Sequence, residues 1–175
     1  MKSYCLYCKT GSEKKLAYLI KKSVEDVLNE DIQIMYPVRI MNQKKQGKWK
    51  KVEQPLIPGY MFLYLEDDIP FPLFLIKNER NAYKILRNND YTLALKGSDE
   101  DYARWVYNHQ GTIRPSKVLF KEGKLVRVID GPLCDLNGKI VKVDRHHKRV
   151  HVMFQFGGKE RIINLSIEDI EMDSQ

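Results

Sequence analysis

Residues 123–144 read G-K-L-V-R-V-I-D-G-P-L-C-D-L-N-G-K-I-V-K-V-D, and this stretch decides the fold of the C-terminal part of the chain. Two segments in which apolar and polar residues alternate flank a D-G-P turn at residues 130–132. Alternation is typical of β-strands that bury one face. Gly138 lacks a Cβ and therefore permits two backbones to approach closely. The stretch predicts two neighbouring strands of a small β-structure.

The alternating pattern continues toward the end of the chain. Short strands are predicted over residues 125–129, 138–144, 149–154 and 160–165. Gly157-Gly158 supplies the positive φ that a two-residue hairpin loop requires. About fifty residues with four or five strands predict a small barrel. Because β-branched residues fill these strands, we expect the barrel to be permanent.

The N-terminal part mixes helices and strands. After a first strand that contains residues 3–8, an amphipathic helix is predicted, with Ser12 as its N-cap. Its apolar residues recur at helical spacing: Leu16, Ile20, Val24, Val27 and Leu28. Further strands are predicted at residues 32–41, 60–65 and 82–87, and further helices at residues 70–77 and 99–109, the last capped by Ser98. The run at residues 60–65 is apolar on both faces, which favours a central strand.

Between two of these strands lies a basic segment. Residues 42–51 read N-Q-K-K-Q-G-K-W-K-K and indicate a solvated hairpin tip, with Gly47 in the turn. The fold class predicted for the chain is therefore α+β: an N-terminal α/β sandwich, in which helices flank an antiparallel sheet, followed by the small barrel. The predicted domains are residues 1–109 and 123–175, joined by a linker at residues 110–122.

Charge and hydropathy limit the function classes. Lys and Arg outnumber Asp and Glu by 30 to 23, and the pI near 9.2 favours polyanionic partners. The first residues lack the apolar run of a signal peptide, and no stretch reaches the roughly 18 apolar residues of a membrane span. We expect a cytoplasmic, monomeric protein with no membrane partner.

The chain has three cysteines, and two of them have C-x-x-C spacing. Cys5 and Cys8 fall in the first predicted strand, where residues three apart point to opposite faces. We therefore expect buried or half-buried structural thiols, with no metal site and no cofactor. A thiol oxidoreductase is the enzymatic alternative, but no catalytic triad, Walker loop or carboxylate pair accompanies the thiols, and we expect no enzymatic activity.

Several segments resemble one family of transcription factors. Residues 123–144 closely resemble the KOW motif of NusG-type factors and of several ribosomal proteins. Residues 4–13, Y-C-L-Y-C-K-T-G-S-E, are similar to the opening of the NusG N-terminal domain, and residues 55–62, P-L-I-P-G-Y-M-F, to its signature strand. With R-P-S-K-V-L-F-K-E-G at residues 114–123, the resemblance spans nearly the whole chain in order. The chain is most similar to specialised paralogs of the RfaH and LoaP type.

The resemblance implies two partners for the N-terminal domain. The first is RNA polymerase, whose clamp helices would bind an apolar groove at Ile57, Tyr60 and Phe62. The alternative for Tyr60 and Phe62 is a place in the core. The second partner is the non-template DNA strand, which would contact basic and polar residues, each of which could instead belong only to a solvated helix face. These residues are Lys9, Thr10, Lys14, Lys15, Tyr18, Lys22 and Arg80.

The barrel carries a charge excess of its own. From Lys121 to Leu165 there are ten Lys or Arg residues against five Asp or Glu residues. This excess predicts a surface that binds nascent RNA. The expected ligand is an RNA hairpin, which the surface recognises by its shape and its phosphates. The predicted contacts are Lys139, Lys142, Arg145, His146, His147, Lys148, Arg149, Lys159 and Arg161. A solvated basic rim is the alternative.

These features predict a specialised factor for processive antitermination of selected operons. Two alternatives stay open at this point. One is a general NusG factor whose KOW domain binds a ribosomal protein or a termination factor. The other is a ribosome-associated KOW protein, which the barrel alone would permit.

Overall fold

The computed structural model describes residues 1–67, 69–122 and 124–170, apart from the side chains of Leu125 and Val126. The predicted α+β class is confirmed. The elements follow in chain order: β1 Lys2–Cys8, α1 Glu13–Leu28, β2 Gln33–Met35, β3 Val38–Lys45, β4 Lys48–Pro55, β5 Tyr60–Leu65, α2 Leu73–Lys77, β6 Ala82–Ile85, α3 Ser98–Asn108, β7 Thr112–Ile113, β8 Ser116–Lys121, β9 Lys124–Asp130, a short 3-10 helix Pro132–Cys134, β10 Lys139–Asp144, β11 Arg149–Phe156 and β12 Lys159–Asp169.

The chain divides into two compact units. The N-terminal unit comprises Met1–Pro37 and Ile57–Gly111, and the C-terminal unit comprises Val38–Leu56 and Thr112–Gln175. The hairpin of β3 and β4 thus belongs to the C-terminal unit, although it lies within the predicted domain 1–109. The predicted domain boundaries stay a prediction, with Gly123 and residues 171–175 outside the described residues.

The N-terminal unit is built on a four-stranded sheet in the order β2-β5-β1-β6. The predicted strand 60–65 is confirmed as β5, which lies between β2 and β1 and is buried along most of its length. One face of the sheet packs against α1 and α2 through Leu6, Leu63 and Ile76. The other face packs against α3, where the Tyr64 hydroxyl donates a 2.7 Å hydrogen bond to the Ala103 carbonyl. Burial raises the pKa of Tyr64 far above its ordinary value.

The helix α1 follows the predicted pattern with two exceptions. Leu16, Ile20 and Val24 are buried as expected, but Val27 is 58% exposed, since it lies beyond the edge of the buried stripe. Ser12 occupies the N-cap position without a side-chain hydrogen bond, so the predicted cap contact is wrong. The adjacent Glu13 instead accepts a 2.8 Å hydrogen bond from the backbone N–H of Gly59.

Three further predictions differ from the structure at element boundaries. The strand expected at residues 32–41 is divided into β2 and β3, because the chain leaves regular pairing at residues 36–37. Ser98 is the first helical residue of α3, and Gly97, with φ 58°, is its N-cap. The segment 110–122, predicted as a linker, contains β7 and β8, whose backbone groups pair with β3, β9 and β12.

The C-terminal unit contains a five-stranded sheet in the order β10-β11-β12-β8-β9 and a three-stranded sheet in the order β4-β3-β7. The four strands predicted from alternation correspond to β9, β10, β11 and β12. In β11, Val150, Val152, Phe154 and Phe156 are buried, and the residues between them lie on the other face. Along β11 this alternation buries the apolar face and leaves Arg149, His151 and Gln155 on the other face.

Candidate nucleic-acid and protein interfaces

Three tyrosines form an aromatic strip at one end of the N-terminal sheet. The rings of Tyr7 and Tyr60 lie 5.0 Å apart between centroids, and those of Tyr7 and Tyr83 lie 5.7 Å apart. Tyr7 of β1 pairs directly with Tyr60 of β5, which places their side chains on the same face. Tyr83 is 57% exposed, and Tyr7 and Tyr60 are partly exposed. The strip can therefore present large amphipathic rings to a partner.

The two other residues of the predicted groove are buried. Phe62, the next residue of β5 on the face of Tyr60, is fully buried, and its ring lies 5.7 Å from that of Tyr102 in α3. Ile57 is 8% exposed, in the loop before β5. Of the three predicted polymerase contacts, Tyr60 is thus the one that reaches the surface strip. Tyr7 and Tyr83 were not among the predicted contacts, although alternation along β1 places Tyr7 on the same face as Cys5.

Part of the predicted DNA surface is gathered around one pocket. A cavity of about 470 Å³ is lined by Lys9, which follows β1, and by residues of α1 and of the loop before β6, among them Lys15 and Arg80. Among the described residues, Glu79 is the one acidic residue in its lining. Residues separated by more than 60 positions thus supply three cations to one concave site, which suits a phosphate group.

The remaining predicted DNA contacts continue from this pocket along α1. Lys14, Tyr18 and Lys22 recur at intervals of four residues and are all exposed, with Tyr18 66% exposed. Thr10 is exposed in the turn between β1 and α1. These positions form a continuous polar stripe on the helix face opposite Leu16, Ile20 and Val24, which is also the arrangement of an ordinary solvated face.

The predicted RNA contacts divide into two groups along the C-terminal sheet. Arg149 begins β11, whereas Lys159 pairs with Phe156 at the other end of that strand. Seven residues at about 3.3 Å each separate these ends by roughly 23 Å. His146 is exposed with its neighbours at the first end, and Lys142, which pairs with His151, lies between the two groups.

Three of the predicted arginines are engaged within the protein. Arg145 forms a 2.8 Å ion pair with the buried Asp169. Arg149 donates to the Asn42 carbonyl at 3.4 Å, and Arg161 donates to the Phe156 carbonyl at 3.2 Å. By contrast, Lys139, Lys142 and Lys159 are exposed. Within the described residues, no carboxylate lies within ion-pair distance of these three lysines, although the charge of Lys142 is among the causes that lower the pKa of Asp144.

The turn between β10 and β11 is held by a local hydrogen-bond pair. Asp144 accepts a 3.0 Å bond from the His147 backbone N–H and lies 2.8 Å from Nδ1 of the same residue. The backbone bond and then the imidazole contact lower the pKa of Asp144. His147 is therefore fixed by the turn, and its ring lies 4.9 Å from that of His146.

The hairpin of β3 and β4 carries further basic residues, which the sequence pattern predicted only as a solvated hairpin tip. The predicted turn at Gly47 is confirmed, and the strands on either side are longer than expected. Arg39 donates a 2.7 Å hydrogen bond to the Asn164 carbonyl, and the Asn42 backbone N–H donates to Ser166 Oγ at 3.0 Å. The hairpin is thus attached to β12 by contacts that span more than 100 residues of sequence.

The two N-terminal cysteines are buried, as predicted. Cys8 lies in the core next to α1, with its Sγ 3.8 Å from the sulfur of Met61, and Cys5 is likewise inaccessible. Burial and the nearby Glu13 carboxylate raise the pKa of Cys8 to about 11. Among the described residues, no cluster of three His, Cys, Asp or Glu side chains could hold a metal ion.

Thiol labelling should separate the cysteines. We expect iodoacetamide at neutral pH to modify Cys134, which is exposed, while Cys5 and Cys8 react only after unfolding. The reason is that the thiolate is the reactive form, and both buried thiols are shielded from solvent. Mass spectrometry of peptides from native and urea-treated protein measures this. Rapid native labelling of Cys8 would revive a redox role for the C-x-x-C pair.

The chain that carries these surfaces matches the models of known protein families. The family model described as transcription termination factor nusG matches residues 1–101, which is more than half of the chain. The chain belongs to the NusG family. A second model, the KOW motif, matches residues 122–153 and so includes β9, β10 and the turn to β11. The resemblance to NusG-type factors that was stated from the sequence is therefore confirmed.

The curated NusG relatives are distant but nearly full-length. The transcription termination/antitermination protein NusG of Helicobacter pylori strain J99 is 24% identical over 175 residues, covering 96% of both chains. That of Buchnera aphidicola subsp. Acyrthosiphon pisum is 25% identical over 182 residues, covering 96% of this chain and 94% of the relative. A solved structure titled "Domain interaction in Thermotoga maritima NusG" matches with a TM-score of 0.55 at 20% identity, over 94% of this chain and 93% of that one, which supports the fold. In the part of the chain that the structure describes, no helix is long and apolar enough to cross a membrane.

Proposed function

We propose that this NusG-family chain is a specialised transcription elongation factor that binds RNA polymerase with its N-terminal unit and nascent RNA with its C-terminal unit. In this proposal it promotes processive antitermination of selected operons. Selectivity follows from the RNA contact, because a factor that recognises an RNA element acts only where that element is transcribed. No step requires catalysis by the protein itself.

The observation that carries this proposal is the exposed charge of the C-terminal sheet. Lys139 and Lys142 project from β10, and His146 extends the surface at the adjacent turn. We call these three residues the basic surface. Lysines without carboxylate partners attract phosphates and release counterions when they bind. An array along one strand suits the backbone of a structured RNA, which is read by shape.

The aromatic strip supports the polymerase contact. Tyrosine rings contribute strongly to protein interfaces because they bury much area and lose few rotamers. The proposed ligand of the strip formed by Tyr7, Tyr60 and Tyr83 is the pair of clamp helices of RNA polymerase. The pocket at Lys9, Lys15 and Arg80 is proposed to bind a phosphate of the displaced non-template DNA strand, with Tyr18 available to stack on a base.

A specific observation also favours a second candidate function. Ile162 is 61% exposed and Val141 is 43% exposed, both on the C-terminal sheet. Exposed apolar side chains on a sheet surface are more typical of a protein interface than of an RNA surface. The second candidate is therefore a general NusG factor whose KOW region binds a ribosomal protein or a termination factor. A ribosome-associated protein would use the same contact.

RNA binding by charge-reversal variants distinguishes the candidates. We expect the full chain to bind selectively to one member of a panel of short RNA hairpins that differ in loop and stem. The double variant Lys139→Glu/Lys142→Glu should weaken that binding by about tenfold or more and reduce the slope of log K against log salt by about two. Fluorescence anisotropy of labelled hairpins across a salt series measures both quantities.

Matched variants exclude a general charge effect. Lys117→Glu/Lys121→Glu makes the same charge change at two exposed positions on β8, and it should alter selective binding far less. Ile162→Ser should leave RNA binding unchanged. If no hairpin is preferred and Ile162→Ser abolishes co-purification of a ribosomal protein or a termination factor, the second candidate replaces the first.

A further inference from the structure

Trp49 occupies an unusual position on the hairpin of β3 and β4. Its side chain is 43% exposed, whereas Trp105, the other tryptophan, is 3% exposed. The surrounding sequence 44–51 contains five lysines and no acid. An indole gains free energy from burial, and the polar hairpin tip gives this one little apolar cover. An exposed indole among lysines is the chemical pattern of a nucleic-acid contact.

Docking of the hairpin brings Trp49 to the β10–β11 turn of the C-terminal sheet. Nζ of Lys148 lies 5.7 Å from the centre of the Trp49 ring, a cation–π distance. Lys148 has a left-handed backbone conformation, with φ 52°, and its amide donates to the Arg145 carbonyl at 3.1 Å. The turn geometry therefore fixes the backbone position from which the Lys148 side chain extends. The ring and the cation come from segments about one hundred residues apart.

The β-register adds a second cation at the ring. Lys44 pairs directly with Trp49 across the hairpin, so both side chains lie on one face. Lys51, two residues further on that face, forms a 3.1 Å ion pair with Glu168 of β12. Lys51 thus helps to attach the hairpin. No described carboxylate lies within ion-pair distance of Lys44 or Lys148.

We propose that Trp49 stacks on an unpaired RNA base, while Lys44 and Lys148 contact the phosphates on either side of that nucleotide. This inference rests on the proposed RNA-binding function and specifies it further. The lysines of the basic surface can neutralise a duplex backbone, but they offer no flat apolar ring. An indole needs a base whose face is open, so this site selects single-stranded nucleotides, such as those of a hairpin loop.

The two tryptophans make the proposal directly measurable in the full chain. Oligouridylate is the single-stranded probe, and a blunt RNA duplex of equal length is the paired probe. We expect oligouridylate to quench tryptophan fluorescence of the wild-type chain, because a stacked base quenches the exposed indole. The duplex should cause little quenching at equal occupancy. In Trp49→Phe the quenching should disappear, since the buried Trp105 is then the only indole.

Affinity provides the second readout. Trp49→Ala should weaken oligouridylate binding by about tenfold, with Trp49→Phe intermediate because a smaller ring still stacks. Tyr91→Ala removes a 79% exposed aromatic side chain from the N-terminal unit and is the matched control, expected to bind as the wild type does. Circular dichroism of each variant establishes that its strands are retained.

The outcomes separate this inference from the function on which it rests. Selective hairpin binding that Trp49→Ala leaves unchanged, with no quenching, would overturn the stacking site and preserve the proposed function. Absence of oligouridylate binding would also overturn the site. Quenching by oligouridylate without preference for any hairpin would support the site as a single-strand contact and reject selective hairpin recognition. Equal quenching by the duplex would contradict the need for an unpaired base.

Discussion

Gly131→Ala is expected to lower the free energy of unfolding of the C-terminal unit by at least about 3 kcal/mol. Gly131 has φ 99° and ψ −174°, a region that is essentially restricted to glycine. A Cβ at this position would lie 2.8 Å from Cα of Ser116 and 2.9 Å from its Oγ. Ser116 cannot move aside easily, because it is 1% exposed and its Oγ accepts a hydrogen bond from the Leu133 backbone N–H.

A second glycine makes the control for this variant. Gly158, in the turn between β11 and β12, also has positive φ, at 71°, but a Cβ there would meet nothing within 4 Å. Gly158→Ala should therefore cost only the backbone strain, about 1 kcal/mol. Urea unfolding followed by circular dichroism compares the two variants. Equal losses would mean that backbone strain alone, without the contact at Ser116, explains the role of Gly131.

Some features of this fold could be predicted from the sequence alone. The position of β5 could be predicted because a run apolar on both faces fits only a strand covered on both sides. The buried residues of α1 followed from their helical period, but the width of the buried stripe did not, which is why Val27 was misplaced. The local sequence pattern determines the period of the buried residues and the side of the helix on which they lie. The element that packs against the helix determines how wide the buried stripe is.

The candidate sites depend more strongly on distant contacts. Arg145 was grouped with the RNA-binding residues because its neighbours are basic, yet its partner Asp169 lies 24 residues away. The contact of Trp49 with Lys148 joins two segments that no local pattern connects. The strip of Tyr7, Tyr60 and Tyr83 required the strand order β5-β1-β6, which alternation alone leaves open. Charge excess could be read from the sequence, but its division between free and paired side chains could not.

The neighbouring residues Tyr60 and Phe62 should give opposite phenotypes. Phe62→Ala is expected to lower the free energy of unfolding of the N-terminal unit by about 3–5 kcal/mol, because a fully buried ring leaves a cavity against Tyr102. Tyr60→Ala removes a partly exposed ring from the aromatic strip, and we expect it to retain the fold. If the strip binds RNA polymerase, Tyr60→Ala should reduce that affinity by about thirtyfold or more, as loss of a central interface residue does.

Measuring stability and affinity on the same variants distinguishes a core residue from a contact residue. Urea unfolding gives the first quantity and sedimentation with core RNA polymerase gives the second, with Tyr91→Ala as an exposed control. Phe62→Leu leaves a smaller cavity than Phe62→Ala does. It should therefore be more stable than Phe62→Ala and should bind polymerase, since Phe62 acts through the packing beneath Tyr60. Normal polymerase binding by Tyr60→Ala would remove the strip from the interface. Loss of binding by a stable Phe62→Leu would instead mean that the phenyl ring itself touches the polymerase.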